Sequence, residues 1–525
     1  MLIMPPSFPR ATSVSLVLTL LAGSPGFAGA QGSPPRLGRI DFPVTASAAA
    51  HREFVTGVLW LHSFEYSRAA AAFQRAQQLE PEFVMAFWGE AMTHTHPVWN
   101  EQDLPAARDI LNRLGPDAAS RRGRAPSPRE QSYLAAVEAL YGEGSKPQRD
   151  TLYAEAMEHL VRAHPEDLEA KAFYALALIG LSQGIRDTST YRRAAAWADT
   201  VFAANPGHPG AAHYLIHAWD DPFHARLGLE AARAYSGIAP DAAHAQHMTT
   251  HIFLALGMWE EVVSQNTLAM NLTSRLPGHY TSWLHYALLQ QGRIREATAF
   301  LEEMRENMAT QRARREPALA WMRLAHVLTS DEWDTGPALW LIDVTGHPPE
   351  VQAAELYFRG LASAQLDRRS GLDSAIAALA AVGTAAAGPT RGEVEVQRLE
   401  LVAWRHHLAD RRAEAVAAAL RAVRLQEGLP LEFGPPAVAQ PAHELLALLL
   451  ESGDPAGAVE AYQRSLELAP GRALSLLGLV RSAGAAGSLG VAREALRQLV
   501  AAAASADPAW REELRLLAER VRPAG

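Results

Sequence analysis

The chain has 525 residues, 48% of them hydrophobic and 20% charged, a balance that supports a sizeable core and excludes a disordered protein. Its formal net charge is -9 at neutral pH, which argues against nucleic-acid binding as the main role. There are no cysteines, so disulfides and a lipid-modified cysteine are excluded and any metal site must use His, Asp or Glu.

Residues 1–30 read as a secretory signal: Arg10, an apolar run from Val14 to Ala22, then Ala28-Gly29-Ala30 as a cleavage site. The expected mature chain begins at Gln31 and is exported, periplasmic or extracellular. No later stretch is long and apolar enough to remain as a membrane-spanning segment. Residues 31–45 form a short linker, and a helical array with a histidine-rich face is expected over 46–305.

The first helical pair places Gly57, Ala69, Phe73, Ala76 and Pro81 in a small, small, aromatic, small, proline order. The next helix, VMAFWGEAMTHTHPVW, is expected to end at Pro97, and a Pro/Arg-rich interruption follows from Gly115 to Pro128. Helical pairs then continue at about 129–163, 166–204, 208–237, 241–273 and 278–305. Irregular helical repeats are expected over 306–430, with helical patterns at 317–329, 350–382 and 391–427 and breaks at 346–350 and 385–392. After EFGPPAVAQP the array returns over 431–525, with Ala458, Tyr462 and Pro470 repeating the earlier pattern. No strand alternation of any length is visible, so the fold class is all-α.

Pro206 and Pro240 each follow an apolar helix and stand 34 residues apart, the period of a helix–turn–helix repeat. Between them and just beyond lie two histidine stripes. In GAAHYLIHAWDD, Ala212, Leu215, Ile216 and Trp219 form the packing row, which leaves His213, His217 and Asp220 on another face. In DAAHAQHMTTHIF, His244, His247 and His251 are spaced i, i+3, i+7 and share one stripe beside Met248, Ile252 and Phe253. Nine of the 20 histidines fall between His208 and His285, a concentration that generic peptide binding does not explain.

These spacings resemble those of tetratricopeptide-repeat (TPR) proteins, and HYLIHA, HMTTHIFLALGMW, WLHYALLQQGR and FGPP with PAHELL are similar to signatures of an exported bacterial TPR group. The resemblance implies a right-handed superhelical solenoid of about ten hairpins whose first helices line a concave groove. It places His213 and His217, with His244, His247 and His251, on groove positions of successive units. His96 and His285 fall on groove-type positions by the same count, as do His51 and His62, while Trp88 and Glu90 are expected to shape the groove wall and Trp283 to serve as a ligand-facing aromatic.

Two functions follow. The first is an exported scaffold that binds a protein or peptide partner in the groove, as TPR proteins usually do. The second is a metalloprotein, an oxidase or hydrolase, in which His213, His217, Asp220, His244, His247 and His251 hold zinc, copper or iron, with Asp220 as a ligand or as a hydrogen-bond acceptor behind one. The same stripes also suit histidines that cap helices or cradle a carboxylate. No set of nucleophile, base and orienting residue is visible: His443-Glu444 lacks the second histidine of a zinc-protease motif, and there is no G-x-S-x-G or phosphate-binding loop.

Overall fold

The small and aromatic positions of the first repeat interlock. Phe73, on helix Tyr66–Leu79, is fully buried between helices Ala48–His62 and Val84–Met92. A Cβ added at Gly57 or Gly89 would lie 2.6 or 2.3 Å from its ring, so both neighbouring helices must present a bare backbone there. Exposed glycine-to-alanine changes in helices gain roughly 1 kcal/mol. Here the clash reverses the sign, and Gly89→Ala is expected to cost about 1–3 kcal/mol in urea unfolding. An unchanged midpoint would refute the wedge.

The computed structural model describes residues 34–183, 185–273, 278–310 and 316–521. The expected signal segment and cleavage site lie outside them. Met1–Pro35 and Arg36–Gly525 are separate units, and the helical array belongs to the second. Among its described residues are 25 α-helices, eleven consecutive pairs of which pack as hairpins from Ala48–His62 with Tyr66–Leu79 to Ala473–Ala485 with Leu489–Ala502. Helices Pro209–Trp219 and Ala243–Ala255 begin with the 34-residue spacing, and they pack against each other as first helices of adjacent hairpins. The middle of the chain is also paired, as Pro349–Gln365 with Arg369–Ala385 and Gly388–His407 with Arg412–Glu427.

The second repeat departs from expectation. Its helix stops at Met92, where the Thr93 hydroxyl donates back to the Glu90 carbonyl at 2.7 Å, and the residue before Pro97 is extended. Thr95–His96 then pairs antiparallel with Glu101–Gln102 around a short 3-10 turn, the one strand pairing among the described residues. The turn carries Trp99 outward over the histidine region.

The array curls until distant repeats meet. Residues 36–47 carry no helix, yet Leu37 and Phe42 are buried, the Arg36 guanidinium bonds Asp241 at 2.7 Å, and the Arg39 amide bonds the Gly207 carbonyl at 2.9 Å. From the other end, Gly471 O accepts from the Trp259 indole at 2.9 Å, and the Ala473 amide donates to Gln290 at 2.9 Å. This closure buries the face expected to line an open groove. All 13 residues of Ala243–Ala255 are buried, including its three histidines.

Candidate metal centre

Local sequence positions the two histidine helices. Pro209 takes the first turn of one, and the His208 ring accepts from the Ala211 amide at 3.1 Å to cap it. From that start His213 and His217 project on one face, with ring centroids 4.8 Å apart. Helix Ala243–Ala255 sets His244, His247 and His251 beside them: His213 and His244 are 5.1 Å apart by centroid, and His217 and His251 are 5.9 Å apart. Five rings form one buried patch.

The patch divides into two triads. His213, His217 and His244 each offer a ring nitrogen within 4.8 Å of the others, and His247, His251 and His279 do the same. The second triad is oriented from behind. The His247 Nδ1–H donates to Asn266 Oδ1 at 2.7 Å, an orientation consistent with the Asn266 amide donating to Thr250 Oγ1 on its other side. The His251 Nδ1–H donates to Asp220 Oδ2, a carboxylate 1% exposed. Both protons therefore point outward, and the two Nε2 lone pairs face each other 3.1 Å apart.

Two lone pairs at that distance repel unless a proton or a cation lies between them. Burial first, then the neighbouring histidines, holds His247 well below the ordinary imidazole range, which disfavours a proton on that ring. Nitrogens bound at ~2.0–2.1 Å to one tetrahedral ion stand roughly 3.3 Å apart, close to what is seen. Carboxylate behind imidazole is also the usual support of a metal-binding histidine. Burial likewise drives His213 down to about 3 and pushes His217 and His244 well down, so these rings are neutral and able to ligate at pH 7.

Aromatic side chains close the centre. Trp283 is buried 4.3 Å from His251, 4.9 Å from His247 and 5.0 Å from His279 by centroid. Phe433 covers His251 at 5.3 Å, and the next residue, Gly434, has φ +89° and lies where a Cβ would meet the Trp283 ring at 2.3 Å. Only glycine fits both demands. On the first triad, Phe64 adopts φ +54°, a strained value for a bulky side chain, and sets its ring 4.3 Å from His213 and 5.6 Å from His244. Trp99 stands over His244 at 6.0 Å. A cavity of about 520 Å³ adjoins the centre, lined by Phe223, Trp259, Tyr286 and Pro435 and sharing Asp220 and Phe433 with it.

The expected site residues therefore separate. His213, His217, His244, His247 and His251 come together; Asp220 stands behind His251 as acceptor, and Trp283 forms a wall. Trp88 belongs to the core of the first repeats instead, edge-on to Phe42, Tyr133 and Phe173. Glu90 accepts from Gln74, Gln77 and Arg113 and so holds helices together away from the patch. His96 stacks on Tyr66 at 4.0 Å at the rim. His285 is two residues beyond Trp283, about 200° around the helix, and meets His326 on the opposite side at 3.3 Å.

His279 is the ligand candidate that sequence reasoning did not assign to the centre, and it is the exposed member of its triad. Its signal was the i, i+4 relation to Trp283 on helix His279–Gln290. Phe64, Asn266 and Phe433 carry no histidine-like signal and become visible only through contact.

The His285–His326 pair has a pH consequence. Thr298 donates its hydroxyl to the Ile294 carbonyl, so it accepts from His326 Nε2, and His326 Nδ1 in turn accepts from His285. Burial lowers His326 from 6.5 to about 4. The folded state thus binds this proton less readily than the unfolded chain: the contribution is full above pH ~6.5 and is lost as pH falls toward 4. The unfolding midpoint is expected to fall across that window, at no more than ~1.4 kcal/mol per pH unit from this residue, and His326→Gln should flatten the fall. Identical slopes for both proteins would refute the assignment.

No protein-family model matches the chain, and neither does any curated protein. Among solved structures it is similar to the APC/C hetero-tetramer Cut9-Hcn1, at 11% identity over 82% of this chain and 76% of that one, with a TM-score of 0.35. It is also similar to the P58(IPK) TPR domain, at 11% identity over 90% and 98% with a TM-score of 0.21. The human IFIT1 dimer with m7Gppp-AAAA gives 14% identity over 90% and 92%, with a TM-score of 0.33. The chain's own stacked hairpins, with successive first helices 34 residues apart at Pro209 and Ala243, make this a TPR-like all-α fold.

Proposed function

We propose that this repeat protein binds a first-row transition metal in the closed histidine centre, the ion lying between His247 and His251 with His279 as third ligand. The observation that supports it is the pair of opposed Nε2 lone pairs 3.1 Å apart, with both Nδ1 protons committed to Asn266 and Asp220. An all-imidazole set suits copper and zinc best, and of divalent ions copper binds most tightly. Three ligands leave a coordination position for a small molecule, as catalytic centres do. The protein's contribution is rigid placement, exclusion of water from the His247 and His251 side by Trp283 and Phe433 while exposed His279 faces outward, and a buried carboxylate that raises the basicity of His251.

The helical-repeat scaffold also offers surface to a protein or peptide partner. An extended peptide is not accommodated along the histidine face, which Phe433, Trp99 and Phe64 cover, so such a partner would use another part of the array.

Protein purified without a histidine tag, stripped with chelator and titrated with Cu(II) or Zn(II), is expected to retain stoichiometric metal through gel filtration. Elemental analysis reads the result. Retention no greater than that of a histidine-poor control protein would overturn the proposal.

A further inference from the structure

Three histidine clusters lie among the described residues, and they differ in one respect. In His62–Glu169–His208 the hydrogen bonding is complete: His62 Nε2 bonds Glu169 at 2.8 Å, His62 Nδ1 meets the Tyr214 hydroxyl at 2.9 Å, His208 Nε2 bonds Glu169 at 3.0 Å, and His208 Nδ1 caps its helix. That is how the chain builds a histidine cluster for structure alone. No imidazole lone pair is left for an ion.

His213, His217 and His244 are as deeply buried, 0%, 4% and 7% exposed, yet Nε2 of all three has no hydrogen-bond partner. A buried polar atom without a partner costs about 1–3 kcal/mol, so three around one point need an explanation. The orientation of His213 is imposed rather than accidental. The His213 Nδ1–H donates to the His62 carbonyl at 2.7 Å, which fixes its lone pair at Nε2, and His244 Nδ1 is engaged by the Tyr280 hydroxyl at 3.2 Å. Strained Phe64 packs against all three rings and excludes water from one side.

We infer that His213, His217 and His244 bind a second metal ion, so that the two triads form a paired, two-metal centre. The inference rests on the preceding reading for the first ion. The triads share a seam, with His217 5.9 Å from His251 and His244 6.2 Å from His247 by ring centroid, so ions held by the two sets are near neighbours. Paired ions hold a small oxygen-containing ligand from both sides, a chemistry a single ion does not offer. The class of ligand that fits the seam is a water, hydroxide or dioxygen-sized molecule.

The test uses the full chain and Cu(II) alone. Metal-free protein is titrated, bound copper is counted by elemental analysis, and electron paramagnetic resonance reads the coupling. The expected result is two equivalents, with a signal broadened or diminished relative to two isolated Cu(II) ions. His217→Ala should then bind one equivalent with an isolated Cu(II) signal. One equivalent in the wild type, or two with uncoupled signals, overturns the paired centre and leaves the first ion standing. No bound copper overturns both. The wild-type count needs no variant, so a misfolded His217→Ala protein does not rescue the inference.

Discussion

Protein carrying His247→Ala and His251→Ala is expected to lose the metal of its first site while keeping most of its helical circular dichroism. Both rings sit in one helix whose packing row, Met248, Ile252 and Phe253, stays intact, and long repeat arrays distribute stability over neighbouring interfaces. The double change removes both opposed Nε2 atoms. It also leaves Asp220 buried without its imidazole, so some loss of stability accompanies it. A gentler variant separates the effects: Asp220→Asn retains every ligand but replaces the carboxylate behind His251, and is expected to weaken metal binding about 10–100-fold. A double variant that binds as many equivalents of metal as the wild type would end the metal reading at this triad.

Glu444→Ala is expected to cost about 3–5 kcal/mol, because it strands a buried guanidinium. Arg472 is 3% exposed and grips Glu444 with two bonds, at 2.6 and 2.9 Å, while its remaining nitrogen reaches the Tyr286 hydroxyl at 3.2 Å. Ser475 donates to the same carboxylate at 2.5 Å. Tyr286 lies on the helix that carries His279 and Trp283, so the ion pair fastens the C-terminal repeats to one wall of the metal centre. Loosening it should therefore lower metal affinity as well as the denaturation midpoint. Replacing both partners, as Glu444→Leu with Arg472→Met, should recover much of the stability, since the stranded charge disappears. A single variant as stable as the wild type would show that the pair does not hold this junction.

The zinc-protease-like fragment in the sequence thus has another explanation. His443 bonds Glu427 at 3.1 Å and Glu444 serves the ion pair, so neither residue is spared for a zinc-protease site.

Much of this protein is legible in one dimension. Helix phase is local, at about 100° per residue, so the sequence alone determined that His213 and His217 share a face, that His244, His247 and His251 share another, and that proline-closed hairpins recur with a 34-residue period. The small residues opposite Phe73 were readable for the same reason. What the tertiary structure alone decided is whether that face is an open groove or a closed chamber. Closure depends on small rotations between successive hairpins, each set by side-chain packing and accumulated over the array, until Gly471 reaches Trp259 and Phe433 reaches His251. Packing between neighbouring helices likewise put Asp220 behind His251, drew His279 in and turned His285 toward His326, because which side of a helix meets a partner on another helix is not encoded in the helix's own periodicity.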